Sequence, residues 1–88
     1  MKIVEKKVLP EYFEAILIGK KKYELRLNDF DIAEGDMLFL REWDANTKTY
    51  TGREVTKRVT YVGKFKMHEL FWPVEEIMEK GIQIISLN

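Results

Sequence analysis

Gly19-Lys20-Lys21-Lys22-Tyr23-Glu24-Leu25-Arg26 is the stretch whose reading decides the fold. A glycine followed by a switch in hydrophobic period marks a helix handing over to a strand. On the amino-terminal side, Pro10 suits the first turn of a helix, because its missing N–H has no partner to lose there. Phe13, Ile16 and Leu17 follow at i, i+3 and i+4, an apolar stripe facing a core. On the carboxy-terminal side, Tyr23, Leu25 and Leu27 alternate with Lys22, Glu24 and Arg26. That period of two predicts a half-buried strand.

Working outward, Ile3, Val4 and Val8 among the charges of residues 2–8 predict a short edge strand. Residues 28–34 are acidic and irregular, and Gly35-Asp36 reads as a turn. Met37-Leu38-Phe39-Leu40 is apolar on both faces and predicts a central strand. Asp44-Ala45-Asn46-Thr47 supplies hairpin turn chemistry, and the Thr, Val and Tyr content of residues 50–62 predicts a long strand after it. Pro73 opens a second helix with Val74, Ile77 and Met78 inward and Gly81 as its stop, and residues 82–87 close the chain as an apolar strand. Hairpin-joined strands in the middle of the chain argue against an alternating parallel α/β unit. The expectation is an α+β fold: a small mixed β-barrel of about five or six strands with two short flanking helices. With 88 residues and no repeat or linker, residues 1–88 read as a single domain.

Composition narrows the chemistry. The absence of cysteine removes disulfides, thiolate metal sites and a cysteine nucleophile, and fits a reducing cytoplasm. Ser86 is the one serine and lacks the glycines of a nucleophile elbow. His68 is the one histidine, too little for a zinc site, and no phosphate-cradling glycine loop is present. Neither metal nor cofactor is expected. No stretch is long and apolar enough to span a membrane, so a cytoplasmic location is the expectation. The net charge is zero, yet residues 1–27 hold seven bases against four acids and residues 37–68 hold seven against three. A fold that pairs these two segments would gather a local basic patch.

Within the opening stretch, Glu24 and Arg26 sit two apart on one strand face and can pair, with Arg26 holding the carboxylate ionised. Strict alternation puts Lys21 on the opposite face, so a bulge or irregular first residue is needed to join the three. On the long strand, Arg53, Lys57 and Arg58 lie near Tyr50 and Tyr61, a mix of bases and aromatics that can track a nucleic-acid backbone. Their ordinary reading is a solvated barrel surface, and that of Trp43 is rim packing.

Gly19-x-Lys21-x-x-Glu24-x-Arg26 resembles the GxKxxExR signature of ASCH domains, which are similar to PUA domains in having a small β-barrel. Tyr12-Phe13-Glu14-Ala15, Gly35-Asp36 and Leu40-Arg41-Glu42-Trp43-Asp44 extend the likeness to a small uncharacterised ASCH-like subfamily of bacteria, phages and archaea. It covers roughly residues 1–62 and the last strand. The resemblance implies a cleft between barrel and first helix, binding RNA or a nucleotide or nucleoside through Lys21, Glu24 and Arg26, with Arg53 and Tyr61 adjoining. A protein partner is left unknown; a protein-interaction domain using the acidic segment 28–36 as its contact surface is the further alternative. Some ASCH proteins are instead amidohydrolases acting on N4-acetylcytidine, which use the motif lysine, a hydroxyl residue three positions later and a carboxylate from a later strand. Here Lys21 and Glu24 would be the catalytic pair of such an enzyme. The hydroxyl position holds Glu24, and the third residue is open among Glu42, Glu54 and Glu69.

Overall fold

A computed structural model describes all residues 1–88. The elements run β1 (Ile3–Val8), α1 (Pro10–Leu17), β2 (Met37–Asp44), β3 (Thr49–Arg58), a 3-10 turn (Met67–Glu69) and α2 (Val74–Lys80). The three strands form one mixed sheet in the order β1-β2-β3, with β1 parallel to β2 and β2 antiparallel to β3. The α+β class and the two short helices are as expected. The sheet is open, with three strands.

β2 is central because its apolar residues serve both neighbours. Leu40 lies opposite Lys6 of β1 and Val55 of β3, and with Val8, Phe13 and Ile16 it forms the buried core. Phe13 is fully buried, whereas Leu17, expected on the same stripe, is exposed. An eight-residue helix presents a little over two turns, so one row of its side chains meets the sheet. The core sits between α1 and one sheet face, with Leu38 and Val55 at its margin.

Two polar devices fix the sheet. The carboxylate of Asp36 accepts the backbone N–H groups of Lys2 (3.0 Å) and Ala33 (2.9 Å), tying the start of β1 to the turn before β2. These two bonds hold its pKa below the ordinary carboxylate range, the Lys2 amide contributing most. In the hairpin, Asp44 accepts from the backbone of Asn46 at 2.8 Å and of Thr47 at 3.3 Å.

The β2–β3 pairing also carries a bulge. Arg41 lies opposite Glu54 and Trp43 opposite Tyr50, so β3 carries two extra residues there. Gly52 takes φ 99° in this bulge, a conformation side chains disfavour. The bulge turns Thr51 and Arg53 towards Glu42, which is buried in the sheet.

Two segments depart from the period-two reading. Residues 22–27 and 82–87 form no ladder, and their alternation does not describe what is buried. Leu25 and Leu27 are 64% and 78% exposed, while the Glu24 side chain is 15% exposed. Glu24 and Arg26 have partners at hand, which offsets the cost of covering them. In α2, Val74 and Met78 are exposed and Ile77 is half-buried. No residue beyond Glu42 is buried. The radius of gyration, 14.8 Å, accordingly exceeds the roughly 12 Å of a tightly packed chain of this length.

Candidate functional site

The site begins at the end of α1. Gly19 adopts φ 83°, and its N–H bonds to the Ile16 carbonyl at 3.1 Å. That is the inner bond of a glycine helix stop. The Lys21 N–H then returns to the Ala15 carbonyl at 2.9 Å, one residue later than in the usual motif. The chain is thereby folded back against the helix end, and Lys21 follows a turn at residues 18–19 and lies in irregular chain rather than in a strand.

This turn removes the obstacle that alternation placed in the way. The Lys21 ammonium donates to Glu24 Oε1 and to the Tyr23 carbonyl, both at 3.1 Å. Glu24 Oε2 accepts from Arg26 Nε at 2.6 Å, and Arg26 Nη2 donates to the Lys7 carbonyl of β1. Glu24 is therefore held between two cations, and Arg26 anchors the cluster to the sheet. The Lys21 side chain is 14% exposed. Its ammonium lies 4.6 Å from the centre of the Tyr23 ring and 5.5 Å from that of Tyr12, positions attractive to a cation.

The three charged side chains line one cavity of about 400 Å³ with Lys7, Val8, Leu9, Tyr12, Tyr23 and Leu25. Its volume falls within the range of small-ligand sites. Its walls are largely apolar. After their internal bonds are made, Lys21 keeps one N–H and Arg26 keeps three. The cluster thus has spare donors, suited to a phosphate, carbonyl or other acceptor.

The other sequence candidates stand elsewhere. Arg53 is outside the lining of this cavity. Its guanidinium bonds Glu42 through Nε at 3.0 Å and Nη2 at 2.8 Å, and Glu14 of α1 at 3.0 Å. It joins helix to sheet. Glu42 also accepts from the Thr51 hydroxyl at 2.6 Å. The bonds from Arg53 and then Thr51 keep the Glu42 pKa below its ordinary value, and Glu42 with Glu14 raises that of Arg53. Tyr61 is exposed and lies apart from the cleft. Of the three carboxylates considered as a third catalytic group, Glu54 pairs with Arg41 at 3.3 Å and Glu69 lies 4.0 Å from His68. None of the three lines the cleft.

Sequence reasoning passed over Tyr12 and Tyr23 as site residues. Tyr12 lies one residue before the buried Phe13, about 100° round the helix from it and so beside the core stripe, and Tyr23 lies inside the motif itself. No three His, Asp or Glu side chains converge on a position suited to a metal ion. No helix is long and apolar enough to cross a membrane.

Comparison with known proteins places the chain in a family. Residues 3–72 match the model of a domain of unknown function, DUF3850. The chain is 43% identical over 61 residues to an "Uncharacterized 12.9 kDa protein in GpA 3'region" of Escherichia phage P2. That alignment covers 69% of this chain and 54% of the phage protein, so the chain spans about half the length of the curated relative it matches. No solved structure matches. Both the cleft and the Glu42–Arg53 network lie inside the matched residues.

Proposed function

The chain belongs to the DUF3850 family, and on that footing we propose that it is an ASCH/PUA-like binding module taking RNA, a nucleotide or a nucleoside in the Lys21–Glu24–Arg26 cleft. The observation that carries this reading is the convergence of the GxKxxExR side chains on one cavity walled by two tyrosines. Glu24 fixes both cations before any ligand arrives, which reduces the ordering cost of binding. The spare donors of Lys21 and Arg26 meet phosphate or carbonyl oxygens. The lone pairs that Glu24 has left can accept an exocyclic amine of a base, and the Tyr12 and Tyr23 rings offer stacking surface.

A PUA-like barrel is part of the same reading. What supports it is a single contact between the two expected strand segments, the Lys22 N–H donating to the Ser86 hydroxyl at 3.3 Å. Binding has more support than hydrolysis of an acylated pyrimidine nucleoside. Glu24 stands in the hydroxyl position, and the later-strand carboxylates are held by Arg41 and Arg53 away from the cleft.

The test is a titration of labelled single-stranded RNA and of nucleotides across salt concentrations. Binding at low salt should weaken as salt rises, with a slope of about −0.7 for each phosphate neutralised. Lys21→Ala should weaken it about tenfold or more, the loss of one charge-assisted hydrogen bond. No binding of any of these at low salt removes the reading. Turnover of N4-acetylcytidine by the wild type but not by Lys21→Ala would favour the hydrolase instead.

A further inference from the structure

The Gly19–Arg26 segment has a second side. Lys21, Glu24 and Arg26 face the cleft, while Lys20 and Lys22 line a neighbouring cavity of about 210 Å³ with Gly19, Ser86, Leu87 and Asn88. Lys20, Lys21 and Lys22 are consecutive, with Cα atoms about 3.8 Å apart, so the two cavities border the same short segment. Neither Lys20 nor Lys22 forms an ion pair, and both are exposed. The Lys22 N–H and the Ser86 hydroxyl meet at the wall of this cavity, and the hydroxyl can donate onward. The cavity lining thus holds two lysines outside any ion pair and a hydroxyl in its wall, with about half a negative charge from the end of α1 nearby.

We propose that Lys20 and Lys22 form a second anion subsite, taking the phosphodiester of the nucleotide next to the one in the Lys21–Glu24–Arg26 cleft. This rests on the proposed nucleotide reading of the cleft and sharpens it: the ligand is a single-stranded polynucleotide, crossing the segment between the two cavities, rather than a mononucleotide. Splitting the lysines of one basic run between two recesses gives each neighbouring phosphate its own counter-charge, while Glu24 keeps the cleft side from becoming a uniform cationic surface.

The experiment compares three labelled ligands, a nucleoside monophosphate, a nucleoside triphosphate and a trinucleotide, on wild type and on Lys20→Ala/Lys22→Ala. The trinucleotide should bind wild type more tightly than either mononucleotide. The double variant should abolish that advantage and flatten the trinucleotide salt dependence by about 0.7 for each phosphate no longer neutralised, leaving monophosphate affinity within about twofold. An unchanged trinucleotide affinity and salt slope in the variant would overturn the subsite. So would an equal gain by the triphosphate, which would assign the recess to a phosphate tail. Wild type that binds the monophosphate and gains nothing from the trinucleotide defeats the subsite alone. Wild type that binds none of the three defeats the cleft reading, and the subsite with it.

Discussion

Replacing Glu42 with Gln separates a structural carboxylate from a catalytic one. Glu42 is buried and accepts three hydrogen bonds, from Thr51 Oγ1, Arg53 Nε and Arg53 Nη2. Gln keeps one carbonyl oxygen for the Oε1 partners and turns an amide NH₂ towards Arg53 in place of Oε2. The Nη2 bond, charge-assisted at 2.8 Å, is lost outright. A hydrogen bond to a charged group is worth about 1.5–3 kcal/mol. Arg53 retains Glu14 and solvent, which keeps the loss below that of a fully buried broken pair. The expected destabilisation is about 2 kcal/mol. In urea, where small domains have slopes near 1 kcal/mol per molar, the midpoint should fall by about 2 M. A double-mutant cycle with Arg53→Met should show coupling of at least about 0.5 kcal/mol, as contacting partners do. Ligand affinity in the cleft should not move under native conditions. A midpoint shift under about 0.5 M, or additive effects of the two substitutions, would refute the assignment of Glu42 to the helix–sheet joint.

Two further expectations follow from the same geometry. Gly19→Ala forces a side chain into the left-handed region at φ 83° although the space around it is open. It should cost about 1 kcal/mol from backbone strain alone, read as a lower urea midpoint, and Gly19→Asn should recover part of it. Asp36 and Glu42 both have folded-state pKa values below their ordinary 3.8 and 4.5. Their contribution is therefore complete above those ordinary values and is lost as pH falls through the lower folded-state ones. The urea midpoint should be flat with respect to these groups near neutrality and decline below about pH 4.5. The decline should be shallower in Glu42→Gln; an identical acid profile in wild type and variant would contradict the Arg53–Glu42 account.

The first helix, the central strand and the hairpin were legible in the sequence because short-range signals specify them. Pro10 and Gly19 bound a helix by backbone conformation alone, and Asp44 builds its own turn by bonding amides two and three residues ahead. The fourfold GxKxxExR spacing was equally legible as a set of residues. Its assembly was not, because period-two alternation assumes that apolar side chains take the covered face. In residues 22–27 Glu24 and Arg26 are bonded to each other, to Lys21 and to Lys7, while Leu25 and Leu27 stay exposed.

What the sequence by itself determined, then, was the set of local elements: where α1 stops, where β2 runs and which residues the motif contains. Tertiary structure decided which of those residues meet. The return of the Lys21 N–H to Ala15 brings Lys21 round to Glu24, and the Lys7 carbonyl of β1 holds Arg26 in place. The bulge at Gly52 gives Arg53 to Glu42 and keeps it out of the cleft. Such pairings join residues as far as 19 positions apart for Arg26 and Lys7, and 39 for Arg53 and Glu14. No local period encodes them; they exist only once the sheet and helix are in place.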